Sequence, residues 1–225
     1  MAAVTAPRAA LSWSSGKDCA WALHVCRRDG LADVALLLTT VNAEFDRVAM
    51  HGTRRTILEA QARAADLPLM AVDLPWPCSN ADYEARMHGA CQALLSRGIT
   101  HIVFGDLFLE DVRAYREAQL EGTGLTPLFP LWGQPTDALA EAMMGAGLKA
   151  RVVTCDPAKV PADAAGRVWD KALLDALPPG VDPCGENGEF HTGVWDGPMF
   201  RHPIAHHMGE TVTRDGFVYA DMIPA

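Results

Sequence analysis

The chain has 225 residues, 49% of them apolar, and a formal net charge of -9 at pH 7. That length suits one large α/β domain or one domain with a smaller appendage. The acidic balance argues against a broad non-specific nucleic-acid surface, and the apolar run Leu36-Leu37-Leu38 is far too short to span a membrane.

The first eight residues, Met1 to Arg8, lack a charged start followed by a long apolar run. They are expected to form a disordered lead over 1–8, not a signal peptide. An apolar run from Ala9 to Trp13 then leads into Ser14-Ser15-Gly16-Lys17-Asp18-Cys19, and a helix-like run from Cys19 to Arg28 stops at Gly30. Strand, small-residue turn and helix together make an anion trap. The first N–H groups of a helix lack partners, and its dipole favours negative charge there. Lys17 adds a point charge and Asp18 a candidate Mg²⁺ ligand. The common P-loop is excluded, because Leu11 and Asp18 stand where it needs Gly and Ser/Thr. The plain alternative is a Ser/Gly turn that starts a helix.

Asp33 to Thr39 reads as a strand buried on both faces. A polar segment, a helix from Thr53 to Asp66 and a third strand, Leu69–Leu74, follow. Pro75-Trp76-Pro77-Cys78 is a rigid loop. Asn80 is expected to cap a helix with apolar positions Tyr83, Met87, Ala90, Cys91, Leu94 and Leu95, ended by Gly98. Thr100 to Asp106 is the fourth strand, and a charged helix begins near Glu110. Leu125 to Trp132 is proline-limited, hence a loop or short edge piece. A helix from Pro135-Thr136-Asp137 to about Gly147 leads to Ala150–Cys155, the expected fifth strand.

This alternation predicts an α/β fold with a doubly wound five-stranded parallel sheet. Beyond Pro157 the pattern changes: a helix over Trp169–Leu177, a turn-dense stretch over 178–192 and a hairpin around Asp215-Gly216. The expected division is a domain over 9–124 and a small α+β subdomain over 125–225. Ligands of such sheets bind beyond the carboxyl ends of the strands, so the Ser14–Cys19 loop should share a cleft with Asn42, the 75–78 loop and Asp106. Six cysteines (Cys19, Cys26, Cys78, Cys91, Cys155 and Cys184) lack CxxC spacing. That usage fits a reducing, cytoplasmic compartment.

Four further groups carry chemistry. Asp106, at a strand's carboxyl end, suits Mg²⁺ or a ribose. Arg113 and Arg116, a turn apart, can clamp a phosphate or carboxylate, or merely lace a solvated helix with ion pairs. Cys184-Gly185-Glu186-Asn187-Gly188-Glu189-Phe190-His191 packs two carboxylates and an imidazole into eight residues; it is either an acid/base loop or a tight turn. His202 and His206 have metal-ligand spacing if helical, but Pro203 stands between them. His51, with Arg54 and Arg55, opens the second helix and faces either the cleft or solvent.

Several of these segments fit one family. Ser14–Cys19 resembles the pyrophosphate loop of the adenine-nucleotide alpha hydrolase superfamily, usually Ser-Gly-Gly-Lys-Asp-Ser. Gly105-Asp106 with its charged helix, Leu125-Thr126-Pro127-Leu128 to Trp132, Cys184 to Phe190, and Asp196-Gly197-Pro198 resemble the diphthine–ammonia ligase branch, in a short form like its bacterial members. The resemblance implies a Rossmann-like fold of the HUP/PP-loop type and an ATP-dependent ligase. In that reaction a carboxylate is adenylated with release of pyrophosphate, and ammonia then displaces AMP to give an amide. It implies ATP and Mg²⁺ as cofactors. Ser14, Ser15, Gly16, Lys17, Asp18 and Cys19 would hold the pyrophosphate with Asn42 and Asp106 nearby, and Asp18 and Asp106 would hold the metal. Lys17, Glu186, Glu189 and His191 would be catalytic, the last three near acceptor or ammonia. The acceptor is a carboxylate on a modified protein residue or a small molecule. No membrane or nucleic-acid partner is implied, and a homodimer is among the assemblies allowed. Ser15 replaces a Gly and is compatible with a turn at negative φ; Cys19 replaces a Ser, a weaker donor to phosphate. Two other readings remain open: a tRNA- or sulfur-modifying enzyme of the superfamily, and a nucleotide-binding sensor without turnover.

Overall fold

A computed structural model describes residues 6–225. Most of the expected lead over 1–8 lies outside them, and Arg8 opens the first strand. β1 (Arg8–Ser12), β2 (Asp33–Asn42), β3 (Leu69–Leu74), β4 (His101–Val103) and β5 (Thr126–Leu128) form one sheet, in the order β3-β2-β1-β4-β5. All its pairings are parallel. The connecting helices are α1 (Lys17–Asp29), α2 (Arg55–Ala65), α3 (Asn80–Ser96) and α4 (Glu110–Leu120). The strand order reverses between β1 and β4, which opens a crevice where their loops diverge.

The second half adds α5 (Thr136–Gly145), β6 (Lys149–Cys155), β7 (Val168–Trp169), α6 (Lys171–Ala176), β8 (Phe190–Asp196), β9 (His206–Arg214) and β10 (Phe217–Pro224). Its strands make an antiparallel sheet, β7-β6-β10-β9, with β8 on the other side of β6. The halves share one buried cluster that runs from Leu11 and Trp13 through Val152, Trp169 and Phe190. No helix among the described residues is long and apolar enough to cross a membrane.

Several elements differ from expectation. Ala150–Cys155 is not the fifth parallel strand but the middle of the antiparallel sheet; a run buried on both faces reads alike in either setting. The fifth parallel strand is Thr126–Leu128. Its Pro127 is tolerated because an edge strand leaves one row of N–H groups unused. Ser79, not Asn80, caps α3: its Oγ accepts from Asp82 N at 3.1 Å. The expected helix at Trp169 starts two residues later, because Val168-Trp169 pair with Ala150-Arg151 and the Asp170 side chain caps the turn that follows. The hairpin turn falls at Asp215-Gly216, both at positive φ.

Candidate functional site

The loop after β1 is held from three sides. Trp13 N donates to Leu38 O of β2 at 2.7 Å. Ser15 lies at φ 76, in the left-handed region, so the expectation of a negative φ is overturned. A non-glycine residue there costs about 1–3 kcal/mol unless its surroundings over-determine it. Here they do. Ser15 Oγ is 2.8 Å from Thr53 Oγ1, and Ser15 O accepts from Val194 N at 3.0 Å and from Gln61 Nε2 at 3.1 Å. Lys17 N, the first amide of α1, donates to Thr192 Oγ1 at 3.1 Å. The N–H groups of Asp18 and Cys19 precede the first intrahelical acceptor and stay outside the helix ladder. Gly105, after β4, presses against them: a Cβ there would lie 2.8 Å from both Asp18 C and Cys19 N.

Lys17 is only 2% exposed. Its Nζ donates to Asp18 Oδ1 and Oδ2 at 2.9 and 2.8 Å and to the carbonyl of Cys184, beneath the rings of Trp169 and Phe190. Burial works to lower its pKa, but Asp18, Cys184 and Glu186 together outweigh burial and hold the ammonium charged, with a raised pKa.

Glu186 closes the same region from the second half of the chain. Its Oε1 accepts from Leu107 N at 2.8 Å, and its backbone N donates to Asp182 Oδ2 at 2.8 Å. Burial, reinforced by the charge of Asp18, pushes its carboxyl up to about 7. His51 and His191 stack with ring centroids 4.7 Å apart. His51 Nδ1 is 3.2 Å from Thr192 O, an acceptor only, so Nδ1 carries the proton. Burial lowers the two imidazoles to about 3 and about 4, and both are neutral at pH 7. His191 Nε2 is buried without a hydrogen-bond partner among the described residues. The loop that carries His51 is pinned by Thr154 Oγ1 of β6, which lies 3.0 Å from both Met50 O and His51 O. Asp106 Oδ2 and Arg116 Nε face each other at 3.5 Å without a hydrogen bond. Burial raises the pKa of Asp106 against the opposing pull of Arg116.

These groups line one cavity of about 410 Å³: Ser14, Lys17, Asp18 and Cys19 on one wall, Asp106 and Arg116 on a second, and His51, Glu186 and His191 on a third. Tyr83 and Met87 of α3 and Phe104, just after β4, extend it. Its size is that of a small-molecule or cofactor site.

Other expected residues lie elsewhere. Asn42 Oδ1 accepts from Glu44 N and Phe45 N at 3.0 and 3.2 Å; it ties its own turn and is absent from the cavity wall. The 75–78 loop is also absent, with Trp76 packed edge-on against Phe45. Glu189 is buried beneath the wall, its Oε1 accepting from Asp182 N and Asn187 Nδ2 at 3.1 and 3.2 Å. Arg113 pairs with Glu117 at 2.8 Å and covers Phe129 and Trp132. Arg54 binds Asp221, and Arg55 binds Asp46 and Asp73. Cys19 Sγ donates to Gly16 O at 3.1 Å, so its thiol is already engaged within the loop. Burial pushes Cys19 to about 11 and Cys184 to about 12, which keeps both as thiols. His206 and His207 lie on β9, on opposite faces of the strand. No group of three His, Cys, Asp or Glu among the described residues is arranged for a metal.

Gln61, Thr53 and Thr192 were not foreseen. A signal for Gln61 existed: it sits on the buried stripe of α2 with Ile57, Leu58, Ala62 and Ala65, where a polar side chain needs a reason.

No curated protein matches the chain. A family model described as the diphthamide synthase C-terminal domain matches residues 135–218, which take in the Cys184–Thr192 segment of the cavity wall. Over those residues the chain is similar to the diphthamide synthase C-terminal domain.

Proposed function

We propose that the protein is an ATP-dependent ligase of the diphthine–ammonia type. A substrate carboxylate displaces pyrophosphate from the α-phosphorus of ATP. Ammonia then attacks the activated carbonyl and displaces AMP, leaving an amide. The observation that carries this reading is the junction of the Ser14–Cys19 loop with the segment 184–192, inside the stretch matched to the diphthamide synthase domain. A phosphate-type loop and an acid/base loop thereby open on one cavity.

The residues present fit the nucleotide. The unladdered N–H groups at the start of α1 and the nearby Lys17 ammonium suit the charge of a leaving pyrophosphate. Magnesium fits as an ion that arrives with phosphate oxygens. Asp18 and Asp106 supply carboxylates, Asp106 Oδ2 has no hydrogen-bond partner among the described residues, and Mg²⁺ is commonly held by one or two carboxylates together with substrate phosphates. When bound, it would neutralise developing phosphate charge.

Glu186, near 7, is poised to take the proton that ammonia must shed when its nitrogen acylates. His191, which lines the same cavity, presents a buried nitrogen without a hydrogen-bond partner among the described residues. Incubation with ATP, Mg²⁺, ammonium and a panel of carboxylates should yield AMP and pyrophosphate in an ammonium-dependent manner. Formation of ADP and phosphate would overturn the reading.

A further inference from the structure

We infer that Gln61, assisted by Thr53, is the positioning residue of the anion-binding loop. It holds Ser15 in its left-handed conformation so that the peptide between Ser15 and Gly16 turns its N–H toward Ser14 Oγ, on the side of the cavity wall that Ser14 forms. The functional consequence rests on the ligase reading above; the geometric one does not.

Gln61 is fully buried, and its amide is used in both senses. Oε1 accepts from Trp13 Nε1 at 2.8 Å. Nε2 donates to Ser15 O at 3.1 Å and to Val194 O at 2.8 Å. Indole N–H can only donate and the two carbonyls can only accept, so only this orientation of the amide satisfies all three partners. One side chain of α2 therefore joins the end of β1, the loop and β8.

The Ser15 carbonyl receives both the Gln61 amide and the Val194 N–H, which fills its two lone pairs. In a trans peptide the N–H points opposite to the C=O. With the carbonyl fixed toward Gln61 and Val194, the buried Gly16 N is directed to the opposite side of the peptide, where it donates to Ser14 Oγ at a weak 3.4 Å. Ser14 itself lines the cavity. The Ser15 side chain is anchored by Thr53 Oγ1, so both ends of the residue at φ 76 are tied to the α2 segment. Glycine would adopt this φ unaided; serine requires the ties.

The test uses the full chain in four forms: wild type, Gln61→Met, Ser15→Gly and the double variant. Amide hydrogen exchange of the peptide spanning residues 13–19 is measured without nucleotide, and the ATP dissociation constant is measured alongside. Gln61→Met, which keeps volume but donates and accepts nothing in this network, is expected to speed exchange in that peptide and to weaken ATP about tenfold or more. Adding Ser15→Gly should recover at least half of that loss on a logarithmic scale. If Gln61→Met does not fold, Thr53→Val must speed exchange in the same peptide. Unchanged exchange over 13–19 overturns the inference, as does a loss of affinity that Ser15→Gly leaves intact, since a purely structural role in the core would not respond to residue 15. Wild type that protects residues 13–19 yet binds no ATP overturns the ligase reading and leaves the positioning role standing.

Discussion

The ammonium of Lys17, on the first turn of α1, donates to the backbone carbonyl of Cys184, 167 positions along the chain, while it grips the neighbouring carboxylate of Asp18. This contact fastens the second half of the chain onto the loop of the first. Lys17→Met keeps most of the apolar stem but leaves Asp18 and the carbonyl unpaired. Removing one partner of a buried pair costs 3–5 kcal/mol, and the partial exposure of Asp18 reduces the expected loss to about 2 kcal/mol. Urea unfolding would measure it, and the variant should bind no nucleotide in calorimetry.

Gly105→Ala should displace the start of α1. The new Cβ would meet backbone atoms of Asp18 and Cys19 at 2.8 Å, and backbone has no rotamer to move aside. Overpacking of this kind costs about 1–3 kcal/mol. Thermal unfolding should show that loss, together with weaker ATP binding than a control at Gly89, where a Cβ meets nothing within 4 Å.

Glu186 predicts a pH profile of definite sign. Its folded pKa, about 7, lies above the ordinary 4.5, so between those values the folded state holds a proton that the unfolded chain has lost. Stability from this group is present at low pH and falls as pH rises through 7. Activity should move the other way, rising through about 7 as the carboxylate becomes available as a base. Glu186→Gln should remove the rising limb of kcat, lower kcat on the order of 10²-fold, and be more heat-stable than wild type above pH 7. A kcat limb that persists in the variant would show that another group titrates.

His51 and His191 carry the opposite linkage. Their folded values, about 3 and about 4, lie below the ordinary 6.5. The unfolded chain therefore takes up protons first on acidification. Stability from the neutral pair is present above 6.5 and lost as pH falls toward 4. His191→Gln should flatten the decline in thermal midpoint between pH 6.5 and 4.5; an unchanged slope would place the acid sensitivity elsewhere.

The parallel sheet was legible because β1, β2 and β3 are short apolar runs separated by helical patterns, and the Ser14–Cys19 loop because small residues and a lysine stood between strand and helix. Ala150–Cys155 misled because burial on both faces carries no information about partner direction. Asn42 misled because proximity to a strand end does not say where a side chain points, and its amide was taken by Glu44 and Phe45 of its own turn. The backbone of Ser15 lay beyond the sequence, since its φ depends on Thr53, Gln61 and Val194, residues remote in the chain. Glu186 and Glu189 look equivalent on paper. Only the fold turns Glu186 into the cavity and Glu189 beneath it.

The proposed chemistry makes one bond that no competing reading makes, between an oxygen of the acceptor carboxylate and the α-phosphorus of ATP. Turnover with an acceptor labelled with ¹⁸O in its carboxylate, followed by ³¹P NMR of the AMP released, reads that bond directly. One ¹⁸O atom per AMP is the predicted result; AMP without label, or label found only in inorganic phosphate, would contradict it.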